Sequence, residues 1–338
     1  MIESTNLRNF GPMHDVAWAG LGPINLVIGE NGSGKTFLLK ALYVAMRTLE
    51  GFRRGADQSS LADILWQKLY WTFQPDRIGD LVTKGADAPL AFAMTLGEEA
   101  FSYQFGKDTT KQISQIASSA PRLDSNSVFL PAKEVLSLHS VILESREQDK
   151  AFGFDDTYLD LARALRVSPT RGRNFAEFAQ SRASLEELLN GKVEYDTDGE
   201  KWYFRRGNQK FPIGVTSEGT KKIAILDTLL GNRYLSPESV IFIDEPESAL
   251  HPVAISKLLD IIGVLARRGI QFFVASHSYF VVKKLFLIAQ QEGMSIPIMS
   301  HAADVGWLAA DLRDGMPDNP IIDESIRLYE QEVEVSLA

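Results

Sequence analysis

Hydrophobic and polar positions change period several times along the chain, and each change predicts an element. Ile2 to Leu7 and Val16 to Trp18 read as short strands. Ile24 to Ile28 is a near-continuous apolar run, the pattern of a strand buried on both faces. A Gly-rich turn follows, and Thr36 to Leu49 then reads as a helix with Leu38, Leu39, Leu42, Ala45, Met46 and Leu49 on one side. Alternation at Leu90, Phe92, Met94 and Leu96, and again at Phe101, Tyr103 and Phe105, predicts a hairpin around the Gly97-Glu98-Glu99 break. Val128 to Leu130 is a further short strand, closed by Pro131.

Residues 132–189 are helical in period and rich in polar side chains, with breaks at Ser168-Pro169 and Arg171-Gly172. A second hairpin is expected from Val193 and Tyr195, a Thr197-Asp198-Gly199 turn, and Trp202 and Phe204. Beyond it, helices and apolar strands alternate: helix Ser217 to Leu230, strand Ser239 to Ile243, helix Val253 to Ala266, strand Ile270 to Ala275, helix Tyr279 to Gln290. That alternation implies an α/β fold around a parallel sheet covered on both faces. An acidic helix, Ile321 to Val333, closes the chain. The expected organisation is one composite domain: an N-terminal lobe over 1–130 with antiparallel hairpins, a helical insertion over 131–215, and a third segment over 216–338.

Composition narrows the chemistry. The 338 residues carry 35 Lys+Arg against 44 Asp+Glu, a formal charge of −9, and no cysteine. The absence of cysteine excludes disulfides, thiolate metal sites and a Cys nucleophile. The negative balance argues against coating nucleic acid by bulk charge, although a local basic groove stays compatible with it. No apolar run reaches the ~18 residues of a membrane span, and no secretory signal opens the chain, so a cytoplasmic protein is expected.

Two motifs carry chemistry. Gly29-Glu30-Asn31-Gly32-Ser33-Gly34-Lys35-Thr36 fits the phosphate-loop pattern G-x-x-x-x-G-K-[ST], which this composition produces by chance only about 0.01 times. It follows a buried strand and opens a helix, as the pattern requires. Glycines let successive N–H groups turn toward phosphates, the helix N-terminus adds partial positive charge, Lys35 reaches the β/γ oxygens, and Thr36 is placed to ligate Mg²⁺. Val240-Ile241-Phe242-Ile243-Asp244-Glu245 is an apolar strand ending in two carboxylates. Buried acids need a positive neighbour, which a Mg²⁺–nucleotide complex supplies. Asp244 is the candidate metal ligand and Glu245 the candidate general base.

Lys35 and Asp244 lie 209 residues apart, so a large insertion separates the two halves of the nucleotide site. Thr216-Ser217-Glu218-Gly219-Thr220 precedes the helix before the acidic strand, and Ala275-Ser276-His277 ends the next strand. This set resembles the head of an ATP-binding cassette (ABC) ATPase, with Walker A at 29–36, Walker B at 240–245, a signature motif at 216–220, a D-loop at Ser248-Ala249-Leu250-His251-Pro252 and a switch histidine at His277. Asp-Glu-Pro-Glu-Ser-Ala-Leu-His-Pro at 244–252 is similar to the non-transporter SMC, RecF and OLD-like branch.

The resemblance implies a Mg²⁺-dependent ATPase that works as a homodimer. Ser217 and Gly219 of one subunit would face ATP on the partner's phosphate loop, Ser248 would cross to the partner site, and His277 would contact the γ-phosphate or attacking water. Departures are visible. Glu218 brings an acid into the signature motif, with Lys221 and Lys222 as possible compensation. No glutamine follows Val128 to Leu130 where the family carries one, leaving Gln74, Lys133 and Glu134 as alternatives. Phe10 and Arg8 are weak candidates for the adenine contact. The resemblance also implies a separate effector protein, as in phage-defence or toxin-like systems; a RecF-like DNA clamp is the alternative, and a transporter subunit is less favoured. His14, His139 and His301, the paired basic residues, and Trp202, Tyr203 and Phe204 are expected to be structural or surface positions.

Overall fold

In the computed structural model, residues 1–55, 59–167, 176–302 and 305–337 are described; the expected breaks at 168–172 and the Arg171/Arg173 pair lie outside them. The order runs β1 (Ser4–Phe10), β2 (Met13–Ala19), β3 (Ile24–Ile28), α1 (Lys35–Gly51), α2 (Leu61–Phe73), β4 (Leu90–Leu96), β5 (Glu99–Phe105), β6 (Gln115–Ser118), β7 (Val128–Leu130) and α3 (His139–Leu143). It continues through α4 (Asp156–Leu165), α5 (Ala179–Leu189), β8 (Lys192–Asp196), β9 (Lys201–Arg206), β10 (Gln209–Pro212) and α6 (Glu218–Gly231). The last part is β11 (Val240–Asp244), α7 (Pro252–Arg267), β12 (Gln271–Ser276), α8 (Tyr279–Glu292), β13 (Pro297–Ala302), β14 (Gly306–Asp311) and α9 (Pro320–Leu337).

The central sheet has the order β14-β13-β3-β12-β11-β7, with every pair parallel except the β13–β14 edge hairpin. Side-chain alternation divides its strands between two cores. Ile24, Leu26 and Ile28 of β3, Ile241 and Ile243 of β11, and Phe272 and Val274 of β12 face a core shared with the α4–α8 helices. Val27, Val240, Phe242, Phe273 and Ala275 face the other core, built from α1, α2 and the antiparallel sheet β2-β1-β4-β5-β6. The apolar run of β3 is thus explained: each face has its own layer to cover.

Five elements were not expected from the pattern. Helix α2 is fixed by a capping box in which Ser60 Oγ accepts from Asp63 N and the Asp63 carboxylate accepts from Ser60 N. Strand β10 makes the second hairpin a three-stranded sheet, and β6 extends the first. The β13–β14 hairpin was hidden because Pro297 starts β13, where a missing N–H costs no ladder bond.

A buried ionic network ties the phosphate-loop helix to the helical insertion. Lys40 of α1 pairs with Asp155 at 2.6 Å, and Lys68 of α2 bridges Asp156 at 2.9 Å and Asp160 at 2.8 Å on α4. Arg47 reaches Asp160 at 3.3 Å and Glu50 at 2.8 Å, and the Tyr43 hydroxyl donates to Asp160 at 2.7 Å. Arg146 joins Asp156 at 2.7 Å while its guanidinium lies 4.3 Å from the Trp71 ring centre. Burial alone would raise the Asp160 carboxyl, but Lys68 and Arg47 outweigh it and hold the group well below the usual carboxylate range.

Asp160 therefore contributes stability that is fully present above the unfolded carboxylate value near 3.9 and is lost as pH falls below it. Asp160→Ala leaves Lys68 and Arg47 without their shared anion, and urea unfolding at pH 7 should show a loss of about 3–5 kcal/mol. The gap between variant and wild type should narrow when the measurement is repeated below about pH 4.

Candidate nucleotide site

Three parallel strands, β3, β12 and β11, deliver their C-terminal ends to one edge of the central sheet, the place where open α/β sheets hold ligands. The turn after β3 is the phosphate loop. Gly29, Gly32 and Gly34 have φ of 154°, 81° and 99°, backbone that favours glycine. At Gly29 a Cβ would also stand 2.9 Å from His301 Cβ and 3.0 Å from Ser33 Oγ, so His301, packed on Trp307, forms the floor of the loop.

Several features of the loop fit an anion. Gly34 caps α1 with no side-chain hydrogen bond, leaving N–H groups of the first turn without a capping oxygen. Ser33 Oγ is buried and bonds to no described protein group. Lys35 Nζ donates to the carbonyls of Gly29 and Glu30, both at 2.8 Å, inside the ring that the loop makes. Burial lowers the Lys35 pKa against the pull of Asp244, Glu245 and Glu247, and a phosphate beside it would counter that desolvation.

Thr36 Oγ1 donates to both oxygens of Asp244, at 3.0 and 2.9 Å. Burial, together with the neighbouring Glu245 charge, raises the Asp244 carboxyl although the Thr36 bond opposes this. A hydroxyl and a carboxylate at hydrogen-bond distance, in a site that penalises negative charge, form a donor set suited to Mg²⁺ completed by phosphate oxygens and water. Among the described residues no group of three or more His, Asp or Glu side chains could hold a metal ion by itself.

Glu245 lines a 440 Å³ cavity together with Asn31, Gly32, Gly34, Lys35 and Thr36, with Pro12, Phe37 and Phe73 as its apolar wall. Its backbone is left-handed, φ 49°, and is held from both sides: its N–H donates to Ala275 O at 2.9 Å, and its carbonyl accepts from Lys222 Nζ at 3.0 Å. His277 places Nδ1 3.4 Å from a Glu245 carboxylate oxygen. Glu245 and His277, from successive strand ends, are therefore neighbours.

Ser217, Gly219 and Ser248 do not line that cavity. Ser217 caps α6 by accepting from Thr220 N at 3.2 Å. Gly219 is fixed by contact, since a Cβ there would lie 2.7 Å from both Ala249 O and Leu250 Cδ2. The signature turn and the D-loop are thus in backbone contact. His251 Nδ1 accepts from Val253 N at 3.3 Å and Pro252 takes the first turn of α7, so the His-Pro pair is a helix start. Glu218 turns to Lys221 at 2.8 Å, and Lys221 also meets buried Glu134 at 3.4 Å. Lys222 instead holds the Glu245 carbonyl.

Other expected positions move. Gln74 bonds the helical insertion, donating to Phe154 O at 3.1 Å and accepting from Gly153 N at 3.3 Å, and does not line the cavity. Glu134 is occupied by Lys221 and Ser137 N, whereas Lys133 shares a 30 Å³ cavity with Asp244 and Lys222. Phe10 is fully buried against Phe37 and Phe73, and Arg8 is an exposed partner of Asp15; neither lines the cavity, and Phe37 and Phe73 form its wall instead. The sequence reading also passed over Glu247, whose carboxylate accepts from Ser276 Oγ at 2.8 Å and His277 N at 3.2 Å. Its place in the acidic strand-end motif was the available signal.

A protein-family model described as "AAA domain, putative AbiEii toxin, Type IV TA system" matches residues 76–283, more than half of the chain. The chain belongs to this family. It is a non-transporter P-loop ATPase domain with the fold of SMC heads. The crystal structure of an Smc head bound to the C-winged helix domain of ScpA aligns with a TM-score of 0.55 at 15% identity, covering 93% of this chain and 98% of that one. The Smc head domain with an extended coiled coil bound to the C-terminal domain of ScpA, derived from Pyrococcus furiosus, gives 0.52 at 13% identity, covering 98% of each chain. Among curated proteins, an uncharacterized protein of Methanocaldococcus jannaschii, MJECL10, is 32% identical over 71 residues, 21% of this chain. The match spans 30% of that relative's length.

Gly219→Ala should separate the D-loop from the signature turn. We expect a loss of about 1–3 kcal/mol in denaturant unfolding, because the new methyl meets backbone that cannot swing aside.

Proposed function

We propose that this chain is a Mg²⁺-dependent ATP hydrolase whose two copies close on two ATP molecules. The observation that carries the reading is the Thr36–Asp244 contact. Residues 208 positions apart meet at one hydrogen-bonded pair, with Lys35 and Glu245 on the same cavity. Phosphate groups would lie on the loop N–H groups and Lys35. Thr36 and Asp244 would hold the Mg²⁺, which neutralises phosphate charge when bound. Glu245 takes a proton from the attacking water as general base, and His277 beside it donates to the departing or attacked phosphate oxygen. The cavity offers apolar wall but lacks donors from Ser217 or Gly219, which supports a second copy bringing its α6 N-terminus to the outer side of the γ-phosphate. Hydrolysis removes charge from between the copies and loosens them.

Biologically, the family's description as a toxin–antitoxin AAA domain favours a regulatory ATPase working with a separate effector chain. The Smc heads above were solved with a bound domain of ScpA, which supports partner docking as a use of the same fold. No described helix is long and apolar enough to cross a membrane.

Glu245→Gln should retain ATP, lose about 10²–10⁴-fold in turnover, and accumulate an ATP-bound dimer in size-exclusion chromatography with light scattering. Ser217→Arg should block that dimer and its turnover while leaving nucleotide affinity of the single subunit within about twofold. Normal hydrolysis by Ser217→Arg would remove the shared-site mechanism. Turnover stimulated by duplex DNA, with affinity falling steeply in salt, would instead point to DNA as the partner.

A further inference from the structure

The acidic motif holds a third carboxylate that the mechanism above does not use. Glu247 sits on the turn between β11 and α7, and its Oε1 gathers two donors from the end of β12: Ser276 Oγ at 2.8 Å and His277 N at 3.2 Å. The same oxygen lies 3.7 Å from His277 Nδ1. Its second oxygen, Oε2, is buried and bonds to no described protein group. A buried carboxylate oxygen without a donor carries a desolvation cost, and such groups persist where a site needs them. Ser276 Oγ in turn accepts from Ser278 N at 3.0 Å, so one acid organises the whole turn that presents the imidazole.

The same residue also shapes the neighbouring loop. Glu247 O accepts from Leu250 N at 3.0 Å, and Glu245 O accepts from Ser248 N at 3.0 Å. Ala249, between them, is left-handed with φ 63° and touches the Gly219 position. The loop's own bonds are made by backbone; because Glu247 belongs to that loop, its carboxylate ties the histidine turn to the loop that meets the signature helix.

We infer that Glu247 is a positioning residue for His277: it locks the 276–278 turn to the D-loop, so that the imidazole stands beside Glu245 only when that loop is in place. The inference rests on the hydrolase reading for its effect on turnover, but not for its effect on the imidazole. Glu247→Ala removes the acceptor, and a displaced imidazole should lower kcat by about 10- to 100-fold with the ATP Kd within about twofold. Glu247→Gln keeps an oxygen for Ser276 and His277 N–H and should recover most of the loss.

The deciding measurement is a double-mutant cycle with His277→Ala, read as kcat and as ATP Kd, alongside ¹⁵N side-chain spectra of the histidines in the full chain. If Glu247 acts through His277, Glu247→Ala adds little in the His277→Ala background, and in the single variant the His277 ring signals move while those of His14, His139 and His301, outside the D-loop, stay. Additive losses, a change confined to ATP Kd, or unmoved His277 signals would overturn the assignment. Should the wild-type chain bind ATP without hydrolysing it, the hydrolase reading falls, and the imidazole spectra still decide the role of Glu247.

Discussion

Burial of the central sheet on both faces is the constraint from which the rest follows. Because α1 and the antiparallel sheet cover one side and the α4–α8 helices cover the other, the strands β3, β11 and β12 have no freedom to slip. A one-residue shift of β11 would exchange Ile241 and Ile243 with Val240 and Phe242, and would also carry Asp244 away from Thr36. Packing register and chemical register are the same quantity here. The apolar cores therefore set a hydrogen bond between residues 208 positions apart that no local propensity could set.

The charged network over α1, α2 and α4 adds a second restraint of another kind. Apolar layers are tolerant of orientation, whereas Lys68 between Asp156 and Asp160, and Arg47 between Asp160 and Glu50, are satisfied in only one arrangement. The helix that begins at the phosphate loop is thus tied to the insertion at Lys40, Tyr43 and Arg47 along one face. A rotation of the insertion would pull on that helix through charges that cannot be left unpaired.

Much of this was legible in the chain. The phosphate loop, the acidic strand end, and the β11–α7–β12–α8 alternation could be read because each combines a strict local pattern with a residue type that has a chemical reason. What escaped reading depended on distant partners. Helix α2 carries a mixed apolar surface whose N-terminal capping box was the one local clue, and β13 begins at a proline that disguises it. Gln74 has the right side chain for the magnesium-side contact, yet its place at the end of α2 turns it toward residues 153–154. Phe10 is aromatic and near the loop, but the alternation of β1 breaks at left-handed Asn9 (φ 51°), which turns Phe10 inward against Phe37. Glu247 was skipped because its partners, Ser276 and His277, belong to the following strand and become neighbours only through the parallel pairing of β11 with β12.

The acid in the signature turn has a consequence for how that turn would meet an anion in the proposed dimer. Glu218 and Glu134 share the Lys221 ammonium, and Lys222 is committed to the Glu245 carbonyl. The N-terminus of α6 is left with peptide N–H groups and the Ser217 hydroxyl as its donors, and with little mobile positive charge. Attraction from such an end is short-ranged and directional, so counterions at moderate salt, which readily screen an exposed lysine, would weaken it far less. An anion brought to this surface in the proposed dimer would be held by fit and distance, and one approaching off axis would find nothing to draw it in.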